Sequence, residues 1–396
     1  MASALQSVKA SHQDLPGHWP AALAPERLEA LAAEHETPFL AGDLGTVTDR
    51  LERLRAALPG VETHYALKCN PSPEIVRTLL AAGTKFEVAS FGELDLLLAC
   101  GVDGADVLYS NTIKPTGHIV KAAQAGVWRF AFDSELELQK IASHAPGASV
   151  YVRLRVDDST SRFPLGRKFG AEAHTARALM LLARELGLVP YGLTFHVGSQ
   201  CTTPSAWRSA LAGASRLMHR LAEDGIVLQM VDLGGGFPAR YVDPLVPIEH
   251  YGSVITTALD EVLPYRPGTV IVEPGRYLVA ESSVLVSSVL GREERAGEEW
   301  LYLDVGVYNG LMETQQTLNQ WEYPMWTSRP DHGTAQRIPF TVAGPSCDSA
   351  DTMFLATPLP ASLGLGDLVM IGSAGAYTLS YASNFNGFPP PTPIFV

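Results

Sequence analysis

Eight short runs rich in β-branched and aromatic residues pace the middle of the chain, each giving way to glycine, proline, serine or asparagine. They are 64–68, 86–90, 107–111, 130–134, 150–156, 192–198, 230–236 and 270–275. Helical periodicity fills the gaps. Phe91, Leu94, Leu97 and Leu98 share one face of 90–100, and Ala178, Leu181, Leu182 and Leu186 share one face of 171–188. Parallel strands need such crossovers, and eight β/α units predict a (β/α)8 barrel. An open doubly wound sheet is the alternative packing of the same units. Past Arg276 the helical period fades, and 284–290, 301–305, 340–343 and 368–372 read as strands between prolines and glycines. The expected chain is therefore α/β: a barrel over 44–280, with 1–43 and 281–396 forming a mainly β domain.

Alternation along the strands says what faces inward. Helix-covered strands are apolar outside. Tyr65 and Leu67 then point out, and Lys68 points in; Phe86 and Val88 oppose Glu87; Val152 and Leu154 oppose Arg153 and Arg155; Phe195 and Val197 oppose His196; Val272 opposes Glu273. These polar side chains gather near strand C-termini, the end at which barrel active sites lie. Buried charge must be paired with other charge or with a ligand.

Composition excludes some partners. The 29 Lys+Arg against 42 Asp+Glu give a net charge of -13, without the basic footprint that nucleic acid or an anionic membrane requires. No run approaches the roughly 18 apolar residues of a membrane span. Residues 1–17 are polar and lack the apolar core of a signal peptide. Cys69, Cys100, Cys201 and Cys347 lie too far apart for zinc spacing, so no metal is expected. They read as free thiols in a reducing cytoplasm.

Four motifs carry chemistry. Lys68 ends an apolar strand, where desolvation lowers a lysine pKa and suits it to Schiff-base work; an ion-paired lysine is the plain alternative. Gly234, Gly235 and Gly236 follow a strand and let backbone N–H groups approach an anion, as a tight turn also would. Glu273-Pro274-Gly275-Arg276 sets an acid at a strand end and a guanidinium suited to phosphate three residues later. His196 and Ser199 offer an imidazole and a hydroxyl at the sixth strand end. A Schiff-base lysine, a phosphate cradle and an acid for a ring nitrogen together are what pyridoxal 5'-phosphate (PLP) needs.

The motifs YALKCN, FHVGSQ, LGGGFP, EPGR, GPSCDSAD and GAYT…FNGF, in this order, resemble the barrel-type (fold type III) PLP-dependent basic amino-acid decarboxylases, most of all the bacterial ornithine/lysine branch. The resemblance spans residue 38 to the C-terminus. It implies PLP as cofactor, with Lys68 as its Schiff-base lysine, Glu273 on the pyridine nitrogen and His196 stacked on the ring. It also implies phosphate contacts from Ser199, Gly235, Gly236, Arg276 and Tyr377, further cofactor contacts from Gly234 and Gly275, and a polar pair, Glu87 and Arg153, near the lysine. Many relatives carry Asp where Glu87 stands. Cys347 and Asp348 would reach across a homodimer, Cys347 to protonate the product carbon and Asp348 to hold the distal ammonium of the amino-acid substrate. Without the resemblance, Cys347 would read as a buried thiol. Tyr308, Glu313, Glu322 and Phe385 are further substrate-binding candidates. Asp348 in place of the Glu typical of diaminopimelate decarboxylases favours ornithine or lysine. Gln315-Gln316, Trp321 and Trp326 depart from the ornithine/lysine pattern. Diaminopimelate or a specialised diamino acid, a racemase, and a non-catalytic regulator on the same fold are the alternatives.

Overall fold

The computed structural model describes residues 19–328 and 336–396, so residues 1–17, expected above to carry no signal peptide, lie outside the described residues. The described chain enters through helix α1 (Pro25–Glu34), strand β1 (Phe39–Gly42) and helix α2 (Leu44–Ala57). Strands β2 (Glu62–Ala66), β3 (Lys85–Val88), β4 (Val107–Tyr109), β5 (Arg129–Phe132) and β6 (Ser149–Arg153) then follow as parallel neighbours. A short strand β7 (Ser161–Phe163) leaves the ring and pairs antiparallel with β9 (Ser199–Cys201). β8 (Val189–Thr194), β10 (Met230–Asp232) and β11 (Thr269–Val272) return to the ring, and β11 closes it on β2. The result is a closed eight-stranded parallel barrel. Helices α3 (Pro73–Ala81), α4 (Phe91–Ala99), α5 (Thr116–Gln124), α6 (Glu135–His144), α7 (Ala173–Glu185), α8 (Ser205–Glu223) and α9 (Ile248–Val262) lie between strands.

The strands stop short of the polar residues assigned to them from sequence, because those residues start the next helix. The Ser90 hydroxyl accepts the Glu93 N–H at 3.2 Å, and the Glu93 carboxylate reaches back to the Ala89 N–H at 2.6 Å. Ser134 caps α6 in the same way. Both serines satisfy orphan N–H groups of a first turn. β2 ends at Ala66, so Lys68 rides on the 3-10 turn Leu67–Cys69. Arg155 lies beyond β6 and does not join the interior; it faces Glu172 at 3.6 Å, and both side chains are more than half exposed. The inward set that fills the barrel is Leu108, Ala131, Tyr151, Met230 and Ile271. Tyr65, Phe86, Val88, Phe130 and Val272 pack outward under the helices.

After a four-residue helix α10 (Arg276–Val279), the chain builds a second sheet from β12 (Ser283–Arg295), β13 (Glu298–Leu303), β14 (Met325–Thr327), β15 (Arg337–Ala343), β16 (Thr352–Pro360), β17 (Leu368–Ile371) and β18 (Thr392–Phe395). The order is β14-β17-β12-β13-β15-β16. β1 adds to β12 and pairs in parallel with β18, so residues from before the barrel sit in this sheet. Strands β1, β14, β16 and β18 escaped the sequence reading. They are short or carry proline, which removes a ladder donor and weakens the pattern.

α9 lies against α2 at Gly252, where a Cβ would overlap the Ala57 carbonyl. Gly252→Val should force the helices apart at a cost of about 1–3 kcal/mol. Thermal unfolding should show a midpoint several degrees below wild type; an unchanged midpoint would mean the contact does not constrain the barrel.

Candidate active site

The strand C-termini open into a cavity of about 300 Å³. Lys68 stands on its wall, and its Nζ donates to the Glu87 carboxylate at 2.5 Å. Glu87 alternates inward on β3, opposite Phe86 and Val88, and is almost fully buried. Burial pulls the Lys68 ammonium down, but Glu87 and then Glu273 outweigh it, and the net shift is upward. The sequence expectation of a lowered pKa is therefore corrected in this state. Desolvation alone points downward, while two nearby carboxylates hold the proton on.

Glu273 follows β11 and accepts a short hydrogen bond from the Ser110 hydroxyl, which also contacts Tyr151 Oη at 2.9 Å. Burial pushes the Glu273 carboxyl well up, helped by Asp232 and Glu87. Asp232, buried at the end of β10, is pushed up to about 6 by burial, although the Gly234 N–H and the Thr194 hydroxyl donate to it at 2.9 and 3.0 Å. Two carboxyls this close cannot both ionise freely, so the pair holds a proton deep in the barrel. His196 stands beside them with its Nδ1 accepting the Gly198 N–H at 3.0 Å. Burial, with Arg153 and Lys68 near, holds its pKa well below the ordinary value, so its ring is neutral. Arg153 lines the cavity with its guanidinium 5.1 Å from the Phe169 ring centre.

The other end of the cavity is an anion cradle. Arg276 presents Nε and Nη2 to the Ser199 hydroxyl, each at 3.3 Å. Nη1 donates to Tyr241 Oη and to Glu313, both at 2.8 Å, and Nη2 closes a second bond to Glu313. Phe163, Trp321 and Tyr377 surround the guanidinium within 6 Å. The Tyr377 N–H donates to the Cys69 carbonyl at 2.7 Å, which ties this wall to the Lys68 turn. A Cβ on Gly235 would lie 2.6 Å from the Glu273 carbonyl and 3.2 Å from His196 Nε2. At Gly234 and Gly236, with φ +63° and +102°, it would overlap the carbonyls of Phe195 and Gly198. Gly275 packs on Cys69, where a Cβ would come within 2.8 Å of the cysteine Cβ.

Lys68, Glu87, Arg153, His196, Ser199, Glu273, Arg276, Glu313 and Tyr377 thus line one cavity. The remaining candidates lie elsewhere. Glu322 lines a neighbouring cavity with Trp321 and Arg162. Trp326 packs in the second sheet beside Met370 and α1. Cys347 is exposed rather than buried, with its Sγ 3.3 Å from Asn386 Oδ1. Beside it the Tyr308 hydroxyl donates to Asp348 at 2.8 Å, and the Tyr308 ring packs on Phe385 with centroids 4.5 Å apart. Four groups went unread in the sequence: Ser110, Tyr151, Asp232 and Phe169. Alternation is the signal that could have found three of them, since Leu108 and Ser110, Tyr151 and Arg153, and Met230 and Asp232 each share a face.

A family model for the pyridoxal-binding domain of pyridoxal-dependent decarboxylases matches residues 44–280. The chain belongs to this family. The lysine/ornithine decarboxylase of Selenomonas ruminantium is 36% identical over 370 residues, covering 92% of this chain and 91% of the relative. Mouse ornithine decarboxylase is 34% identical over 383 residues, 93% and 82% of the two chains. The SrLDC crystal structure holding PLP and cadaverine superposes with a TM-score of 0.86 at 35% identity, covering 94% of each chain.

The residues of this decarboxylase fit PLP, which is its cofactor. A primary amine, a carboxyl pair that retains a proton for a ring nitrogen, a neutral flat imidazole and a guanidinium beside a hydroxyl line one cavity. A side chain at Gly234, Gly235 or Gly236 would run into the carbonyls of Phe195, Glu273 and Gly198, so this segment must stay bare.

Glu313 is buried and bound to Arg276 through two bonds, which makes it a holder of the guanidinium rather than a free cation receptor. Glu313→Gln should raise the PLP concentration that half-saturates the apo-protein roughly tenfold, read by fluorescence quenching. At saturating PLP the amino-acid KM should stay near wild type; a change confined to KM would return Glu313 to the substrate.

Asp232 adds a pH signature. Its folded pKa of about 6 exceeds the unfolded value near 4, so folding takes up a proton between them and stability falls as pH rises through that window. Asp232→Asn removes the ionisation. Denaturant melts of the apo-protein should show the variant more stable than wild type above pH 6, with the gain vanishing below about pH 4. A gain that is the same at every pH would assign it to packing.

Proposed function

We propose that this decarboxylase converts a basic L-amino acid, ornithine or lysine, into its diamine and carbon dioxide, as a cytoplasmic homodimer with shared active sites. The observation that carries the activity is Lys68 bound to Glu87 in the same cavity as Glu273, His196 and Arg276. The curated relatives named above act on these two amino acids, and the SrLDC structure holds cadaverine, the diamine of lysine.

When bound, PLP supplies a conjugated pyridinium ring that accepts the electron pair left on the substrate α-carbon as carbon dioxide departs. The chain does the rest. Arg276 and Ser199 hold the phosphate, with Glu313 fixing the guanidinium. Glu273 keeps a proton at the ring nitrogen, backed by Asp232. His196 offers an uncharged face to the ring. Glu87 holds the Lys68 ammonium at its place on the cavity wall.

The shared site rests on charge. Every carboxylate lining the cavity is engaged: Glu87 by Lys68, Glu273 by Ser110 and Glu313 by Arg276. A distal ammonium needs another, and the exposed cluster of Asp348, Tyr308, Cys347 and Phe385 offers one. In the dimer proposed here, Asp348 of the partner subunit holds that ammonium and Cys347 of the partner subunit protonates the α-carbon. Free Cys69, Cys100, Cys201 and Cys347 support a reducing compartment. Among the described residues no helix is long and apolar enough to cross a membrane.

Purified protein given PLP and ornithine, lysine, arginine or diaminopimelate should release putrescine or cadaverine, identified by mass. Lys68→Ala should abolish release. Lys68→Ala and Cys347→Ala chains, each inactive alone, should regain about a quarter of wild-type activity when mixed, because half of the dimers then carry one intact site. Silence on all four substrates would refute the basic amino-acid reading, and failure to complement would refute the shared site.

A further inference from the structure

Two hydroxyls stand inside the barrel where its filling is otherwise apolar. Tyr151 on β6 shares the interior with Leu108, Ala131, Met230 and Ile271. Ser110 follows β4, its N–H donating to the Val88 carbonyl at 3.1 Å, and two-residue alternation puts its side chain on the Leu108 side. A buried hydroxyl costs free energy unless it is hydrogen-bonded, and alanine or phenylalanine would fill these places without that cost. Tyr151 is fully buried, and among the described residues its Oη meets only Ser110 Oγ, at 2.9 Å. Ser110 in turn bonds to Glu273 Oε1. β4, β6 and β11 are not neighbours in the ring, so these groups span the barrel to reach the carboxyl.

Counting protons gives the series a direction. Each hydroxyl owns one proton and can also accept one. With Ser110 donating to Glu273, Tyr151 donates to Ser110, and both protons have acceptors. Were Oε1 to donate instead, the Ser110 proton would turn to Tyr151, and the phenolic proton would have no acceptor among the described residues. The two hydroxyls therefore hold Oε1 as an acceptor, and the first polarises the second. A hydroxyl aimed at a carboxyl oxygen favours the ionised form. The other groups around Glu273 pull both ways. Burial, Asp232 and Glu87 favour its protonated form, whereas Lys68 and the Ser110 hydroxyl favour the carboxylate. Arg153 is a further cation facing it.

We propose that Ser110 and Tyr151 are positioning residues of this decarboxylase, acting through Glu273. They keep Oε1 accepting, so the one proton that Glu273 shares with the ring nitrogen of bound PLP stays in the N–H bond and the carboxylate keeps its charge. A ring protonated at that nitrogen is the stronger electron sink. This role rests on the PLP reading of the cavity and is independent of which amino acid is decarboxylated.

The test is solid-state nitrogen NMR of enzyme loaded with PLP isotopically labelled at the ring nitrogen, at neutral pH and without amino acid. The wild-type resonance should lie at the protonated position. Ser110→Ala should move it toward unprotonated pyridine, with the ratio of ring-held to carboxyl-held proton falling roughly tenfold. Tyr151→Phe should move it the same way by less, since Ser110 still donates. The double variant should match Ser110→Ala, because Tyr151 acts through Ser110. Each substitution removes one oxygen, and cofactor absorbance and the thermal midpoint verify the fold. Ser110→Ala strands the Tyr151 hydroxyl; the double variant does not, and it carries the comparison where the single one is unstable. An unprotonated wild-type nitrogen, a resonance unmoved in either single variant, or a double variant displaced beyond Ser110→Ala would overturn the proposal. The resonance is read without turnover, so silence on every amino acid would leave this result standing on its own.

Discussion

Ionised groups held out of bulk water at one end of the barrel set the terms for everything around them. An unpaired buried charge costs several kcal/mol, so each must have a partner in place before any ligand arrives. The structure meets this with three couplings along one cavity: Lys68 with Glu87, Glu273 with Asp232 and Ser110, and Arg276 with Glu313. Each coupling joins two different β/α units, or the barrel and the second sheet's region. The ring must therefore close in register for the charges to meet, and fold and site are one requirement.

The same couplings set protonation. Lys68 beside two carboxylates keeps its proton, whereas an isolated buried lysine would shed it. The Asp232 and Glu273 carboxyls, crowded and buried, resist ionising. His196, buried first of all and then faced by Arg153 and Lys68, stays neutral. A site that is to bind a pyridine ring, a phosphate and an amino acid thus begins with its amine charged, its acid partly protonated and its imidazole uncharged, all from placement alone.

Much of this was legible from the residues. The eight-strand rhythm gave the barrel, and two-residue alternation gave Lys68, Glu87, Arg153, His196 and Glu273 their common side. The same rule extended by one position would have found Ser110, Tyr151 and Asp232. It failed at Arg155, whose side chain turns outward to Glu172 instead of into the barrel. Long-range pairing was not legible. Nothing near Glu313 in sequence announces Arg276, 37 positions away, so a carboxylate expected to face a substrate cation proves to face a guanidinium of its own chain. Strands β1 and β18 were hidden for a similar reason, since each is defined by a partner from the far end of the chain.

The exposed cluster follows from the same electrostatic logic. Asp348 is held ionised by the Ala350 N–H and then by the Tyr308 hydroxyl. Both donors are neutral, so the carboxylate keeps its full charge. Inside the cavity Glu87 and Glu313 face cations, and Glu273 sits in a proton-sharing pair. A dibasic substrate entering that cavity finds no free carboxylate on its wall for the distal ammonium. One region of the chain therefore lacks what another region displays on its surface. An interface that brings the two together adds no buried charge without a partner, because the substrate's ammonium completes the pair. On the dimer proposed above, the substrate is the last member of the salt-bridge set, and a chain length that fails to span from Lys68 to Asp348 of the partner subunit is rejected by the cost of leaving that carboxylate dry and unpaired.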